Sequence, residues 1–164
     1  FELAEDAVLH WAVALTAAAM AGAMAAVLDM SIAYVGEREQ FGRPLGKFQA
    51  IQQQISVMAE RVAMANVAGQ GALARPLPGP SALDIAVAKP VVDASASILC
   101  SVSHAVFGAI GITAEHDLSL FTRRLKRSQL AFGGTLPWAR QLGRARLARA
   151  GGTSVDFIRA LRHG

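Results

Sequence analysis

The sequence predicts an all-α fold, an antiparallel up-down four-helix bundle with a short extra C-terminal helix. Three observations predict it. The 164 residues are 53% hydrophobic but only 6% aromatic, and alanine, the best helix former and a poor strand residue, is abundant. Long segments repeat apolar residues at alternating steps of four and three, which is one stripe of a helix. Short glycine- and proline-bearing stretches separate these segments, as between antiparallel neighbours. The length is that of about one domain, and a charged fraction of 17% excludes a disordered polar chain. Residues 1–150 are read as the bundle and 151–164 as a tail.

The first helix is expected from Leu3 to Glu37. Leu9, Val13, Thr16, Met20, Ala23, Val27, Met30 and Tyr34 form its stripe, and small residues between them let neighbours approach from other sides. Gly42, Pro44 and Gly46 break the pattern between Arg38 and Lys47, which reads as a loop. Ile51, Ile55, Met58, Val62 and Ala65 mark a second helix that fades by Gly69 or Gly71. Pro76, Pro78 and Pro80 then make a connection no helix crosses. Ser81 with Asp84 three residues later resembles a capping box. The third helix follows with the stripe Ile85, Ala88, Val92, Ser95, Leu99, Val102 and Val106. Pro90 is expected to kink it, and Gly108 to Gly111 to stop it. A fourth helix begins near Glu115, with Leu118, Phe121, Leu125 and Phe132 inward, and ends at Gly133-Gly134. Pro137 suits the first turn of a shorter helix running to Ala150. The tail is open between a last short helix and a frayed end. No strand pattern and no internal repeat is visible.

The single cysteine, Cys100, excludes an internal disulfide framework and a cysteine-cluster metal site; in its apolar run it reads as a buried, inert thiol. Trp11 to Leu28 is uncharged and long enough to raise the question of a membrane span. Acids flank it without a basic anchor, so a buried bundle helix is expected, in a cytoplasmic protein. His10, His104, His116 and His163 are scattered without metal-ligand spacing, so no metal site is expected. Gly108-Ala109-Ile110-Gly111 is too little to define a dinucleotide site. From residue 123 onward ten Lys or Arg face one acid, Asp156. Arg140, Arg144 and Arg149 are expected to share a helical face. A solvated surface is the ordinary meaning, and contact with an anionic cofactor or acidic partner is the other. No aromatic interleaving supports nucleic-acid binding.

Two runs carry more. Tyr34-Val35-Gly36-Glu37-Arg38-Glu39-Gln40-Phe41-Gly42-Arg43-Pro44-Leu45-Gly46-Lys47-Phe48-Gln49 closely resembles the helix-loop-helix signature of acyl-CoA dehydrogenases. Phe107-Gly108-Ala109-Ile110-Gly111-Ile112-Thr113-Ala114-Glu115-His116-Asp117-Leu118 resembles the same family's glycine turn, in the same order and at the same separation. The resemblance implies FAD as cofactor, an acyl-CoA substrate, and assembly through the bundle into a homo- or hetero-oligomer, a dimer or tetramer. It implies that Arg38 contacts the flavin pyrophosphate across a subunit interface. Phe41 would pack beside the flavin nucleotide, and Phe48 and Gln49 would line its adenine-ribose side. Gly108 and Gly111 would form the cofactor-facing turn. A guanidinium fork suits phosphate, although Arg38 also reads as a charge complementing a helix C-terminus, and Phe41 and Phe48 as loop-capping residues.

The sequence departs from the family pattern in three places. Ala105 stands where most members have a glutamine that reaches the partner's cofactor, and His104 beside it points elsewhere. Ala109 replaces the turn's second glycine. The base that removes the α-proton is, in the family, a glutamate after the fourth helix or one on the first helix. Phe132 and Ala12 occupy those positions, and neither abstracts a proton. No catalytic residue is therefore assigned. The cluster of Glu115, His116 and Asp117 invites an acid–base reading, but acidic residues at a helix start also complement the dipole, and a structural role is expected. A complete member also carries an N-terminal helical domain and a middle β-domain, so the resemblance implies an acyl pocket that these residues leave incomplete. Two readings stand: the C-terminal domain of an FAD-dependent acyl-CoA dehydrogenase lacking its own base, or a structural bundle derived from the family.

Overall fold

Alanine-rich stripes become six helices in the structure, a computed structural model that describes residues 5–75, 79–113 and 116–163. The expected start at Leu3, the Pro76-Leu77-Pro78 connection and the Ala114-Glu115 pair lie outside the described residues. Helix α1 (Glu5–Glu37) leads into two two-residue strands, β1 (Glu39–Gln40) and β2 (Arg43–Pro44). A 3₁₀ turn at Leu45–Lys47 follows, then α2 (Gln49–Leu73), α3 (Ala82–Phe107), α4 (Leu118–Leu130), α5 (Thr135–Ala148) and α6 (Ser154–His163). The strand pair corrects the expectation of a plain loop. Two residues per strand carry no alternation for a sequence pattern to reveal.

Helix α3 is the centre. It packs against α1, α2, α4 and α5, and every residue of its expected stripe is buried except Val102, which is half-buried. The Ser81–Asp84 capping box forms, with Ser81 Oγ accepting from the Asp84 N–H and Asp84 accepting from the Ser81 N–H. The helix runs through Pro90 as one element. Helix α1 is buried at Val13, Ala17, Met20, Met24, Val27, Ser31 and Val35. The expected stripe shares Val13, Met20 and Val27 with this set, while Leu9 is exposed and Thr16, Ala23, Met30 and Tyr34 are half-buried. With apolar residues on every side, composition does not fix the rotation of this helix; packing against α2, α3 and α4 does.

Helix α2 passes through both glycines expected to end it. A Cβ on Gly69 would lie 3.3 Å from the Ala18 Cα, so the missing side chain marks close approach of α2 to α1. Helices α1 and α3 are long and apolar enough to span a bilayer by length and composition. Here their shared residues, among them Met24, Val27, Val92 and Leu99, form the main core. A second cluster around Val13, Ile85, Ala88 and Trp138 seats α5. Helix α5 begins at Thr135 and ends at Ala148, so Arg149 falls beyond the helix that was to align it with Arg140 and Arg144. The tail forms α6, whose Asp156 accepts from both the N–H and the hydroxyl of Thr153 and whose Phe157 is buried.

Candidate functional site

Phe41 (φ 53°) and Gly42 (φ 77°) form the two central residues of a hairpin turn. Two successive positive φ values give the mirror-image turn that matches strand twist. Around it, β1 and β2 pair antiparallel as Glu39↔Pro44 and Gln40↔Arg43. A phenylalanine in the left-handed region costs about 1–2 kcal/mol, and this one is 91% exposed. Its ring meets the edge of Phe48, at 6.1 Å between centroids. The Arg43 guanidinium lies over the Phe48 ring at 4.1 Å, a cation–π contact that neither pattern nor spacing indicated. Phe48 caps the start of α2 and is half-buried, and Gln49 opens the helix exposed.

Arg38 is fixed through its backbone. Its N–H donates to the Tyr34 carbonyl at 2.9 Å, and its carbonyl accepts from the Leu45 N–H at 2.8 Å. The side chain is exposed and enters none of the hydrogen bonds or ion pairs among the described residues. The hairpin therefore carries both a permanent cation and an exposed ring, and the cation forms no ion pair among the described residues.

The second run meets the first at the same end of the bundle. Tyr34 stacks on Phe107 at 4.4 Å and its hydroxyl donates to the Phe107 carbonyl at 3.5 Å. His116 lies 4.5 Å from the Phe107 ring and accepts from the Leu118 N–H through Nδ1. Gly108 follows at φ 61°, exposed, with open space where a side chain would project. Gly111 differs: it is buried, and a Cβ there would lie 2.9 Å from Phe107 Cβ and 3.0 Å from Leu118 Cδ2. Packing inside the bundle already requires this glycine. Ala105 and Ala109 are exposed, with nothing longer than a methyl group to offer. His104 turns from that surface, its Nε2 3.2 Å from Thr122 Oγ1.

Phe132 is not the inward residue its spacing predicted. It is 38% exposed and sits at φ 56°, ψ 36°, inside a 3₁₀ turn at Ala131–Gly133. Gly133 and Gly134 extend the positive φ run, which takes the chain out of helical phase and turns the ring outward. A buried network holds this turn. Lys89, fully buried, contacts both Asp93 carboxylate oxygens at 2.6 and 2.7 Å. Its ammonium also donates to the carbonyls of Ser128 and Gln129 at the end of α4. Thr135 donates to Asp93 from the start of α5 at 2.8 Å, and Trp138 Nε1 donates to the Phe132 carbonyl at 3.1 Å. Sequence reasoning missed this cluster. Its signal was a Lys and an Asp four residues apart on an otherwise apolar stripe. Ala12, the other position considered for a base, is half-buried on α1.

The family model described as acyl-CoA dehydrogenase, C-terminal domain, matches residues 1–154. Acyl-CoA dehydrogenase FadE34 of Mycobacterium tuberculosis is 33% identical over 169 aligned positions, covering 98% of this chain and 24% of that protein. Acyl-CoA dehydrogenase IpdE2 of Mycolicibacterium smegmatis is 34% identical over 119, covering 73% of this chain and 37% of its own length. The solved structure of butyryl-CoA dehydrogenase from Megasphaera elsdenii superposes with a TM-score of 0.79 at 27% identity, over 85% of this chain and 37% of that one. The chain thus spans well under half the length of these relatives. With the hairpin and glycine turn meeting at one end of an all-α bundle, it belongs to the acyl-CoA dehydrogenase family and corresponds to its C-terminal domain.

Proposed function

We propose that this chain is the bundle part of an FAD-dependent acyl-CoA dehydrogenase, that it contributes a half-site for the cofactor, and that the catalytic base lies outside these residues. The observation that carries the reading is the hairpin. The same hairpin carries an exposed Arg38, in no ion pair among the described residues, and a Phe41 ring that is 91% exposed on strained backbone. Strain kept at an exposed aromatic points to a partner for that ring.

The residues fit a dinucleotide in kind. Arg38 would donate to pyrophosphate oxygens, Phe41 and Phe48 would offer apolar faces, and Gln49 an amide. Gly108 leaves open space where a Cβ would stand. Gly111 would act indirectly, by letting the turn close onto Phe107 and Leu118. Bound flavin would take up the hydride lost from the acyl β-carbon. This chain's residues would bind and orient the cofactor and keep that end of the bundle rigid. The α-proton would go to a carboxylate elsewhere, because positions 132 and 12 hold Phe and Ala. The assembly implied is a homo- or hetero-oligomer formed through the bundle, acting on an acyl-CoA in the cytoplasm.

Ala105, Ala109 and Phe132 favour one second reading, a bundle kept for assembly after its chemistry was lost. Titration with FAD followed by flavin fluorescence separates the two. Binding weakened about tenfold or more by Arg38→Ala supports the half-site. Absence of binding in both proteins sinks it and leaves assembly.

A further inference from the structure

We infer that the cleft between α3 and α4 is an anion site for a phosphate-bearing small molecule of nucleotide size, separate from the hairpin. The cleft is an open groove of about 560 Å³, a volume within the range of small-molecule pockets and more than a bare phosphate needs. One wall is α4, which contributes Arg123, Lys126 and Arg127. The other is α3, which contributes Ser97 and Ser101, one turn apart, with Cys100 between them.

Two features separate this wall from an ordinary solvated face. The cations sit at three- and four-residue spacing, so like charges face each other along the helix, which is unfavourable without a counter-charge. No counter-charge is provided: α4 contains no Asp or Glu, no acid lines the cleft, and none of the three joins an ion pair among the described residues. Arg123 is held by the Ser119 carbonyl and hydroxyl, while Lys126 and Arg127 donate to no protein acceptor among the described residues.

The floor is suited to a desolvated anion. Cys100 is 4% exposed; burial raises its thiol pKa, with the nearby Lys126 charge pulling the other way, so it remains neutral. Across from it Thr122 Oγ1 meets His104 Nε2 at 3.2 Å, and the Ser101 hydroxyl is exposed at the rim. Cationic forks with neutral hydroxyls, and no carboxylate to repel, are the donor set of a phosphate ester.

Calorimetric titration of the full chain with ADP and with inorganic phosphate, at physiological ionic strength, tests the inference. Saturable ADP binding is expected, tighter than phosphate, unaffected by Arg38→Ala or by saturating FAD. It should weaken about tenfold or more in the Lys126→Gln, Arg127→Gln double variant, whose exposed positions leave the helical circular dichroism unchanged. Phosphate binding alone, equally sensitive to the double variant, keeps the anion site and overturns its nucleotide size. ADP binding lost in Arg38→Ala but intact in the double variant overturns the site in favour of the hairpin. No saturable binding by either probe overturns it outright and leaves a solvated basic helix.

Discussion

Phe41 and Phe132 are the two non-glycine residues with positive φ among those described, and they stand in opposite settings. Phe41 tops a hairpin whose side chains reach outward. Arg38 forms no ion pair among the described residues, Phe48 is capped by Arg43, and the ring itself is 91% exposed. Phe132 sits on a turn whose backbone is held from within by Lys89, Asp93, Thr135 and Trp138. One region carries the side chains proposed to bind cofactor. The other has kept a strained scaffold while the side chain suited to proton transfer is missing. Under the proposed function, binding chemistry and backbone geometry are thus separated along one chain.

The comparison is broken hardest at the buried pair. Asp93→Ala leaves the Lys89 ammonium buried without its carboxylate, and removing one member of such a pair costs about 3–5 kcal/mol. Urea denaturation should show a loss of that size. Hydrogen exchange should show residues 131–135 opening before the Arg38–Leu45 hairpin. If hairpin and turn open together, they form one cooperative unit and the contrast between them fails.

Gly111→Ala is next in size. Its Cβ would meet Phe107 and Leu118, whose packed side chains have little room to give. Overpacking of this kind costs about 1–3 kcal/mol. Because Phe107 also stacks on Tyr34, the change should weaken FAD binding as well as stability. Gly108→Ala meets no atoms, only an unfavourable φ, and should cost less. Melting temperatures of the two variants decide it; equal losses would mean that Gly111 has room which the packing denies.

The helices, the capping box and the stripe of α3 were legible in the sequence because each depends on local spacing. The rotation of α1 was not, since a helix apolar on all sides carries no directional pattern. The hairpin residues were legible through their resemblance. The hairpin itself was not, because two-residue strands have no period. Phe132 was misread as inward since the four-three count assumes α-helical phase, and the 3₁₀ turn at Ala131–Gly133 breaks it. Lys89 and Asp93 were passed over because their partners, Gln129 and Thr135, come from elements some forty residues away.

Ser81→Ala probes a region remote from both turns. Losing an N-cap costs about 1 kcal/mol. Burial raises the Asp84 carboxyl, but hydrogen bonds from Ser81 and the Arg75 guanidinium outweigh it and hold the group below its usual value. A depressed carboxylate contributes stability that is complete above its unfolded pKa of about 3.9 and disappears as pH falls through the folded value. The gap between wild type and Asp84→Asn should therefore be full at neutral pH and close in acid below about pH 4. A gap that persists in acid would assign it to shape rather than charge.

The smallest effect on folding sharpens the comparison most. Phe41→Gly removes a ring that buries almost nothing and relieves a left-handed strain of about 1–2 kcal/mol, against a glycine entropy cost of up to about 1 kcal/mol. Its melting temperature should match or slightly exceed that of the wild type, while FAD affinity falls. Phe132→Gly relieves similar strain but gives up a ring that is 38% exposed, against 91% at Phe41, so it should gain less or lose stability, and leave FAD affinity unchanged. A Phe41→Gly protein that melts lower and binds FAD normally would place that ring among the packing residues and remove the reason to read the hairpin as a binding surface.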